Sequence, residues 1–276
     1  MVLIAPLACP VRSCRQPLEP VGRTWSCPNR HAFDIARSGY VNLLQPQDRR
    51  SLHAGDTAAA VDARRRLLAA GIGATIVERF VERAAVLSAD AASVVVDLGC
   101  GAGDALGRLQ ARQPVTAVGL DLSAAAVDSA ARRFPGVTWA VANADRRLPL
   151  LDAHVSVVLS LHARRNPDEC HRVLKPGGHL LIAVPASDDL IELRHAVQGA
   201  RIERDRVADT IAIHSGAFDS VEHITARERH TLTGDALRDV LRGTYRGERS
   251  STASRVQALD ALDVTFASDI LLLRRR

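Results

Sequence analysis

The fold of this chain is decided by residues 94–104, which read VVVDLGCGAGD. The run of valines and a leucine predicts a short buried strand, and the alternating glycines after it predict a tight turn into a helix. Glycines at such a turn let the backbone approach a ligand closely and leave amide groups free at the helix N-terminus. The stretch therefore predicts a ligand site at the carboxyl end of a strand in an α/β domain.

Strands and helices alternate beyond this turn. Most of the expected strands are continuous Val, Leu and Ile runs, as in strands covered by helices on both faces. Helical stretches such as 124–133 and 167–174 separate them, which predicts a doubly wound, mostly parallel sheet. Two later strands, 222–231 and 264–273, flank a helix at 234–241 and favour an antiparallel hairpin at the sheet edge. The expected parallel strands are 94–98, 116–120, 137–141, 155–159 and 180–184.

The glycine turn has the spacing G-x-G-x-G, with Asp97 two residues before Gly99. Dinucleotide sites instead use G-x-G-x-x-G to cradle a pyrophosphate. A methionine moiety needs close backbone approach and a counter-charge for its ammonium group, which Asp97 can supply. Asp121 ends the next strand, where an acidic side chain accepts ribose hydroxyls. Asp145 follows the third strand and is placed to contact an adenine edge.

Together these elements resemble the pattern of class I methyltransferases over residues 90–185, which implies S-adenosylmethionine as the cofactor. The alternative is a set of tight turns in an α/β domain that binds no ligand. The residues expected to contact the cofactor are Asp97, Gly99, Gly101, Gly103, Ala105, Leu106, Asp121, Leu122, Asp145 and Asp189.

A metal site is expected in the turn-rich residues 1–45. Cys9 and Cys14 form a Cys-x4-Cys pair, and Cys27 and His31 form a Cys-x3-His pair. Three thiolates and one imidazole suit tetrahedral Zn²⁺, and a segment this short needs such a staple to fold. Unpaired thiols or a disulfide are the alternatives. The predicted zinc is structural, because four protein ligands leave no open position for catalysis.

Charge is concentrated in the same segment. The chain has a formal net charge of +5, and residues 1–50 hold seven arginines against three acids. A basic module suggests an anionic partner, although a solvated basic face has the same composition. No apolar run is long enough to span a bilayer. We interpret the first residues as an ordinary N-terminus and expect a cytoplasmic protein with three parts: a zinc module (1–45), a helical connector (46–90) and an α/β domain (91–276).

The string CPNRHAFDIARSGYVNLL, residues 27–44, together with the cysteines before it, resembles the zinc module of the RlmA family, the 23S rRNA guanine-N1 methyltransferases. Weaker matches extend the resemblance over about residues 7–200. It implies methylation of a guanine N1 in a hairpin of domain II of 23S rRNA, and a homodimer that grips this RNA in a cleft. Residues 162–166 are similar to the F-A-P-R-N of a branch that confers resistance to tylosin-like macrolides. His162 and Arg164 differ from that motif, and Asp189 replaces a histidine of the family.

Guanine N1 must lose its proton before it can accept a methyl group. Asp56, His162 and Asp189 are the candidates to take that proton, without preference, and in-line positioning alone is the alternative. Two other functions stay open: methylation of a small metabolite, since this fold serves many substrates, and an RNA-binding protein that keeps the cofactor site as a non-catalytic relic. The residues predicted to contact RNA phosphates are Arg12, Arg15, Arg23, Arg30 and Arg37.

Overall fold

A computed structural model describes residues 4–46, 55–198, 205–243 and 260–276. Within these ranges the chain forms a large eight-stranded sheet with helices on both faces and a small three-stranded sheet near the N-terminus. The strands are β1 (Glu19–Val21), β2 (Thr24–Ser26), β3 (Ala32–Asp34), β4 (Val41–Asn42), β5 (Val94–Leu98), β6 (Thr116–Asp121), β7 (Thr138–Val141), β8 (Val155–Leu161), β9 (Leu174–Pro185), β10 (Phe218–Thr233) and β11 (Ala261–Arg275). The helices are α1 (Ala58–Ala69), α2 (Ala74–Leu87), α3 (Asp104–Arg112), α4 (Ala124–Arg133), α5 (Pro167–Val173), α6 (Ile191–Gln198), α7 (Val207–His214) and α8 (Gly234–Gly243).

The large sheet confirms the predicted α/β class. Its order is β10-β11-β9-β8-β5-β6-β7-β4, and the strands from β9 to β4 run parallel. β11 pairs antiparallel with β9 and with β10, which confirms the antiparallel strands at the edge. Alternate residues of β5 enter two cores on opposite faces, with Val94, Val96 and Leu98 in one and Val95 in the other. This burial on both faces explains the continuous apolar runs.

The N-terminal segment packs against the same sheet. β4 adds a parallel strand beside β7, and Leu7 forms an antiparallel bridge with Leu150. Leu7, Leu18 and Trp25 are buried in one core with residues of the large sheet. This pairing could not be predicted from the sequence, because a strand of two residues leaves no periodic pattern.

Helix α1 is capped by Thr57, whose Oγ1 accepts a hydrogen bond from the amide of Ala60 at 3.2 Å. Gly71, with φ of 83°, lies just beyond its end. Arg66 on this helix donates two hydrogen bonds of 2.7 Å to Asp239 on α8. This pair joins α1 to α8. Among the described helices, none has the length and apolar character required to cross a membrane.

Candidate active site and metal centre

The four predicted zinc ligands lie together in the small ribbon, and their ligand atoms are all within 4.8 Å of one another. The Sγ atoms of Cys14 and Cys27 are 3.7 Å apart, and His31 Nδ1 lies 3.4 Å from Cys9 Sγ and 3.5 Å from Cys27 Sγ. Around tetrahedral zinc, bonds of about 2.3 Å to sulfur and 2.0–2.1 Å to nitrogen place sulfurs about 3.8 Å apart and nitrogen about 3.5 Å from sulfur. The donor set and its spacing fit zinc.

Local hydrogen bonds act on Cys14, one of the four predicted zinc ligands. A backbone hydrogen bond from Gln16 lowers the pKa of Cys14 to about 6, which favours the thiolate. The side-chain amide of Asn29 donates to Cys14 Sγ at 3.3 Å, as outer-shell donors to metal-bound sulfur do. None of the cysteines forms a disulfide.

Asp97 lies at the end of β5 as predicted, and only 2% of its surface is exposed. Its Oδ1 has no hydrogen-bond partner among the described residues. Burial, with a smaller contribution from Asp121, raises the pKa of Asp97 to about 8. A buried carboxylate without a partner is costly, and a cationic ligand group beside it would remove that cost. Asp97 therefore fits the ammonium group of S-adenosylmethionine.

Asp121 meets the glycine turn because β6 lies next to β5. Its Oδ2 accepts a hydrogen bond from the Gly101 amide at 2.9 Å, and its Oδ1 accepts one from the Ser123 amide at 2.8 Å. Burial raises its pKa, and the two backbone hydrogen bonds oppose that shift. The carboxylate is fixed in orientation, and its remaining lone pairs can accept ribose hydroxyls.

The glycine turn leaves room for a ligand at Gly101, where an added Cβ would meet no atom within 4 Å. At Gly99 the same atom would lie 2.4 Å from the Cβ of Ala163, so the loop after β8 packs directly on the turn. Both glycines have left-handed φ values, of 55° and 68°. Gly103 has φ of 82° and abuts Trp139.

The other predicted cofactor residues near the glycine turn and the next two strands differ in how deeply they are buried. Ala105 and Leu106 are buried in the core beneath α3, so only their backbone amides in its first turn can face a ligand. Leu122 is half-buried, with its carbonyl carbon 3.0 Å from the position of a Cβ at Gly55. Asp145 is exposed and forms a 3.2 Å ion pair with Arg164.

The three candidate proton acceptors lie in two places. Asp56 forms an ion pair with Arg64, and its carbonyl accepts a 2.6 Å hydrogen bond from Ser123 Oγ, which places it on the ribose side of the site. His162 and Asp189 instead contact consecutive residues of β11. The structure thus anchors two of the candidates to adjacent residues of one strand, whereas the third lies in the loop before α1.

His162 Nε2 lies 2.7 Å from Ser268 Oγ. Neighbouring protein atoms desolvate the ring and lower the pKa of His162 to about 4, and the charges of Arg206 and Arg64 add to that effect; part of the residue is nevertheless exposed to solvent. The Oδ1 of Asp189 accepts a hydrogen bond from the Ala267 amide at 3.0 Å. Burial raises the pKa of Asp189 to about 6.

Sequence reasoning missed Ser123, Arg64 and Ser268 as members of the site. Ser123 caps α4 by accepting a 3.2 Å hydrogen bond from Ala126, and a serine directly before a helix is a recognisable signal. Ser268 lies 106 residues from His162 along the chain, so only the fold brings them together.

The predicted phosphate-binding arginines of the ribbon are all exposed. Arg23 donates a hydrogen bond to the carbonyl of Ile35 at 3.4 Å. In the part of the chain that the structure describes, these arginines form no ion pair with an acidic group, so their charge is available to an anionic partner. They are Arg12, Arg15, Arg23, Arg30 and Arg37.

Comparison with known proteins bears on both sites. Residues 7–52 match the family model of the RlmA N-terminal zinc ribbon, and residues 95–178 match a methyltransferase domain. A 23S rRNA (guanine(748)-N(1))-methyltransferase of Streptomyces fradiae is 39% identical over 236 residues, which cover 84% of this chain and 81% of that protein. The chain belongs to the RlmA family of methyltransferases. It is an S-adenosylmethionine-dependent enzyme with a zinc ribbon.

Two further comparisons bear on the family and on the fold, respectively. A protein of Micromonospora griseorubida, whose name assigns it to the 23S rRNA (guanine-N(1)-)-methyltransferases, is 37% identical over 99% of this chain and 98% of its own length. The crystal structure of YcgJ from Bacillus subtilis, 15% identical, superimposes with a TM-score of 0.53 over 72% of this chain and 99% of that one. At that identity the YcgJ likeness shows the fold alone.

Proposed function

We propose that this protein methylates N1 of a guanine in 23S rRNA, in a hairpin of domain II. The observation that carries the proposal is the packing of an arginine-bearing zinc ribbon on the sheet that holds the cofactor turn. Exposed guanidinium groups suit a phosphate backbone. A ribbon anchored to the catalytic sheet can hold RNA in a fixed position relative to the methyl donor. The relatives named above support guanine N1 as the target.

Three carboxylates of this chain bind different parts of the cofactor. Asp97 binds the ammonium group of the cofactor, Asp121 its ribose, and Asp145 its adenine edge. When bound, S-adenosylmethionine supplies a methyl group already activated for transfer by its sulfonium sulfur. The protein therefore has to orient the guanine in line with that group and exclude water, and proximity alone lowers such a barrier by several kcal/mol. The zinc, held by Cys9, Cys14, Cys27 and His31, keeps the ribbon folded.

The substrate base has to leave its stack to reach the site, which costs least in a hairpin loop.

A methyl group on N1 of a guanine lining the peptide exit tunnel would account for resistance to tylosin-like macrolides. Expression of the gene in a sensitive host, followed by measurement of the inhibitory concentration of tylosin, tests this physiological role. A homodimer is part of the proposal, and sedimentation of the protein with and without RNA tests it.

The function is tested by incubating the purified protein with labelled S-adenosylmethionine and unmodified 23S rRNA. Because N1 methylation blocks Watson–Crick pairing, reverse transcriptase should stop one nucleotide before the modified base. A single stop in the domain II hairpin is expected. Label in the RNA with a stop elsewhere would mean another target nucleotide. Cofactor binding without any labelled RNA would favour a small-metabolite substrate or a non-catalytic RNA-binding protein.

A further inference from the structure

Strand β11 contacts two titratable side chains from two loops, His162 and Asp189. The Ala267 amide donates to Asp189 Oδ1 at 3.0 Å, and Ser268 Oγ lies 2.7 Å from His162 Nε2. β9 and β11 stop pairing at Ser268, and the segment after β9 continues along β11 through the hydrogen bond from Leu190 N to Thr265 O at 2.7 Å. The two side chains are thus anchored to adjacent residues of one strand.

This place is next to the methyl-donor site. Ala163 follows His162 and packs on Gly99 of the cofactor turn. His162 and Leu190 both have left-handed φ values, of 55° and 53°, although neither is a glycine. Such backbone strain costs roughly 1–3 kcal/mol per residue and collects at functional sites. The strain here flanks the two side chains and fixes the loops that carry them.

The Ser268 hydroxyl determines which nitrogen of His162 carries the proton. Ser268 is fully buried, and among the described residues its hydroxyl has no other partner, so its O–H donates to Nε2. The ring proton then lies on Nδ1, which has no hydrogen-bond partner in the described ranges. Arg206 and Arg64 face the ring and oppose its protonation. At neutral pH the imidazole is therefore neutral and carries an N–H donor at Nδ1.

Asp189, anchored at the neighbouring residue of β11, presents an acceptor. One of its oxygens is held by Ala267, and in the described structure no hydrogen bond occupies the other. Arg194 and Arg206 face the carboxylate and favour its charge, whereas Asp188 opposes it. Burial is the largest effect and makes this carboxylate more basic than an exposed one while leaving it ionised at pH 7. Asp56, by contrast, already forms an ion pair with Arg64.

We infer, on the basis of the proposed function, that Asp189 accepts the guanine N1 proton while His162, positioned by Ser268, donates from Nδ1 to guanine O6. In this step a bond forms between N1 and the methyl carbon, and the bond from that carbon to sulfur breaks with its electron pair left on sulfur. The N1 proton passes to the free oxygen of Asp189 and then to solvent. The hydrogen bond to O6 stabilises the negative charge that develops there as N1 loses its proton.

The same pair of groups selects the base. Guanine presents the O6 acceptor beside the N1–H donor, which matches His162 and Asp189 in order. Adenine presents an amino donor beside an N1 acceptor, so both contacts would place like groups together. A site built to hydrogen-bond one pattern rejects the other because its buried polar groups are left unpaired.

The test uses the zinc-loaded protein, a domain II hairpin and four variants, one of which is a control. Asp189→Asn should lower kcat about 100-fold or more and remove the rise of rate with pH centred near 6, with the KM for S-adenosylmethionine unchanged. Ser268→Ala should lower kcat about tenfold, and Ser268→Thr should restore it because the hydroxyl returns. Asp235→Asn, whose parent side chain is exposed and pairs with Arg238 on α8, is the control and should keep kcat within about twofold.

A second readout does not depend on turnover. Fluorescence anisotropy with the bound product S-adenosylhomocysteine compares hairpins that carry guanine or adenine at the target position. The wild-type protein should prefer guanine by about tenfold or more, and Ser268→Ala should lose most of that preference. Thermal melting and calorimetric binding of S-adenosylhomocysteine establish that each variant is folded.

The outcomes separate the two levels of the proposal. If the wild-type protein methylates guanine N1 and a folded Asp189→Asn variant keeps its rate and pH profile, the assignment of Asp189 is wrong and the proposed function stands. An unchanged base preference in Ser268→Ala would overturn the role of His162 and Ser268. A folded, cofactor-binding wild-type protein that leaves the RNA unmethylated would overturn the proposed function and this inference together.

Discussion

The buried carboxylate of Asp97 should make the cofactor-free protein less stable than a variant without it. Its pKa of about 8 lies above the ordinary value of 3.8, so the folded state holds a proton that the unfolded state releases at pH 7. This difference costs about 4 kcal/mol at pH 7, because one pKa unit corresponds to about 1.4 kcal/mol. Asp97→Asn removes that cost but buries an amide without assigned partners, at about 1–3 kcal/mol. The expected net gain is roughly 1–3 kcal/mol.

The sign of the pH dependence of the unfolding free energy is a more specific test than the size of the net gain in stability. A carboxyl group with a raised folded pKa stabilises the protein fully below its unfolded pKa, and this contribution is lost as pH rises from about 4 towards 8. Between pH 5.5 and 7.5 the unfolding free energy of the wild-type protein should therefore fall relative to Asp97→Asn by up to about 1.4 kcal/mol per pH unit. Urea denaturation followed by tryptophan fluorescence measures both proteins.

A matched surface variant and a measurement of cofactor affinity complete this experiment. Asp62→Asn replaces an exposed carboxylate in a surface ion pair and should change neither the stability nor its pH slope by more than about 0.5 kcal/mol. Asp97→Asn should bind S-adenosylmethionine at least about 100-fold more weakly, since it loses a charged hydrogen bond in a buried site. An Asp97→Asn protein with the wild-type pH slope, or with wild-type cofactor affinity, would refute this account of the site.

Three other predictions follow from the geometry. Gly99→Ala should lower kcat, and it should lower the free energy of unfolding by about 2 kcal/mol or more, because its Cβ would lie 2.4 Å from the Cβ of Ala163. Gly22→Ala, at a left-handed φ with open space around it, measures the backbone cost alone. Zinc removal by a chelator should lower the melting temperature and shift the emission of buried Trp25 to the red, and no shift would mean that the ribbon folds without metal. Replacing Arg15 and Arg30 with glutamine should reduce the slope of log affinity for RNA against log salt by about 2 (by about 0.9 for each lost phosphate contact); an unchanged slope would remove both arginines from the interface.

Much of the fold and the site could be predicted from local sequence. The strand at Val94–Leu98, the cap at Thr57 and the zinc ligands each depend on residues close together in the chain, where periodicity and spacing carry the information. The pairing of β4 with β7 could not be predicted, since two residues give no period. Ser268 was missed for a related reason: its role depends on the register of β11 against β9 and on the turn that presents His162.

The identity of the methylated nucleoside tests the central claim most directly. The wild-type protein would be incubated with S-adenosylmethionine and an unmodified domain II hairpin, and the RNA would be digested and its nucleosides identified by mass spectrometry. The account predicts about one N1-methylguanosine per hairpin, formed by the wild-type protein and not by Asp97→Asn. A methyl group on another nucleoside, or unmodified RNA from a protein that binds the cofactor, would contradict it.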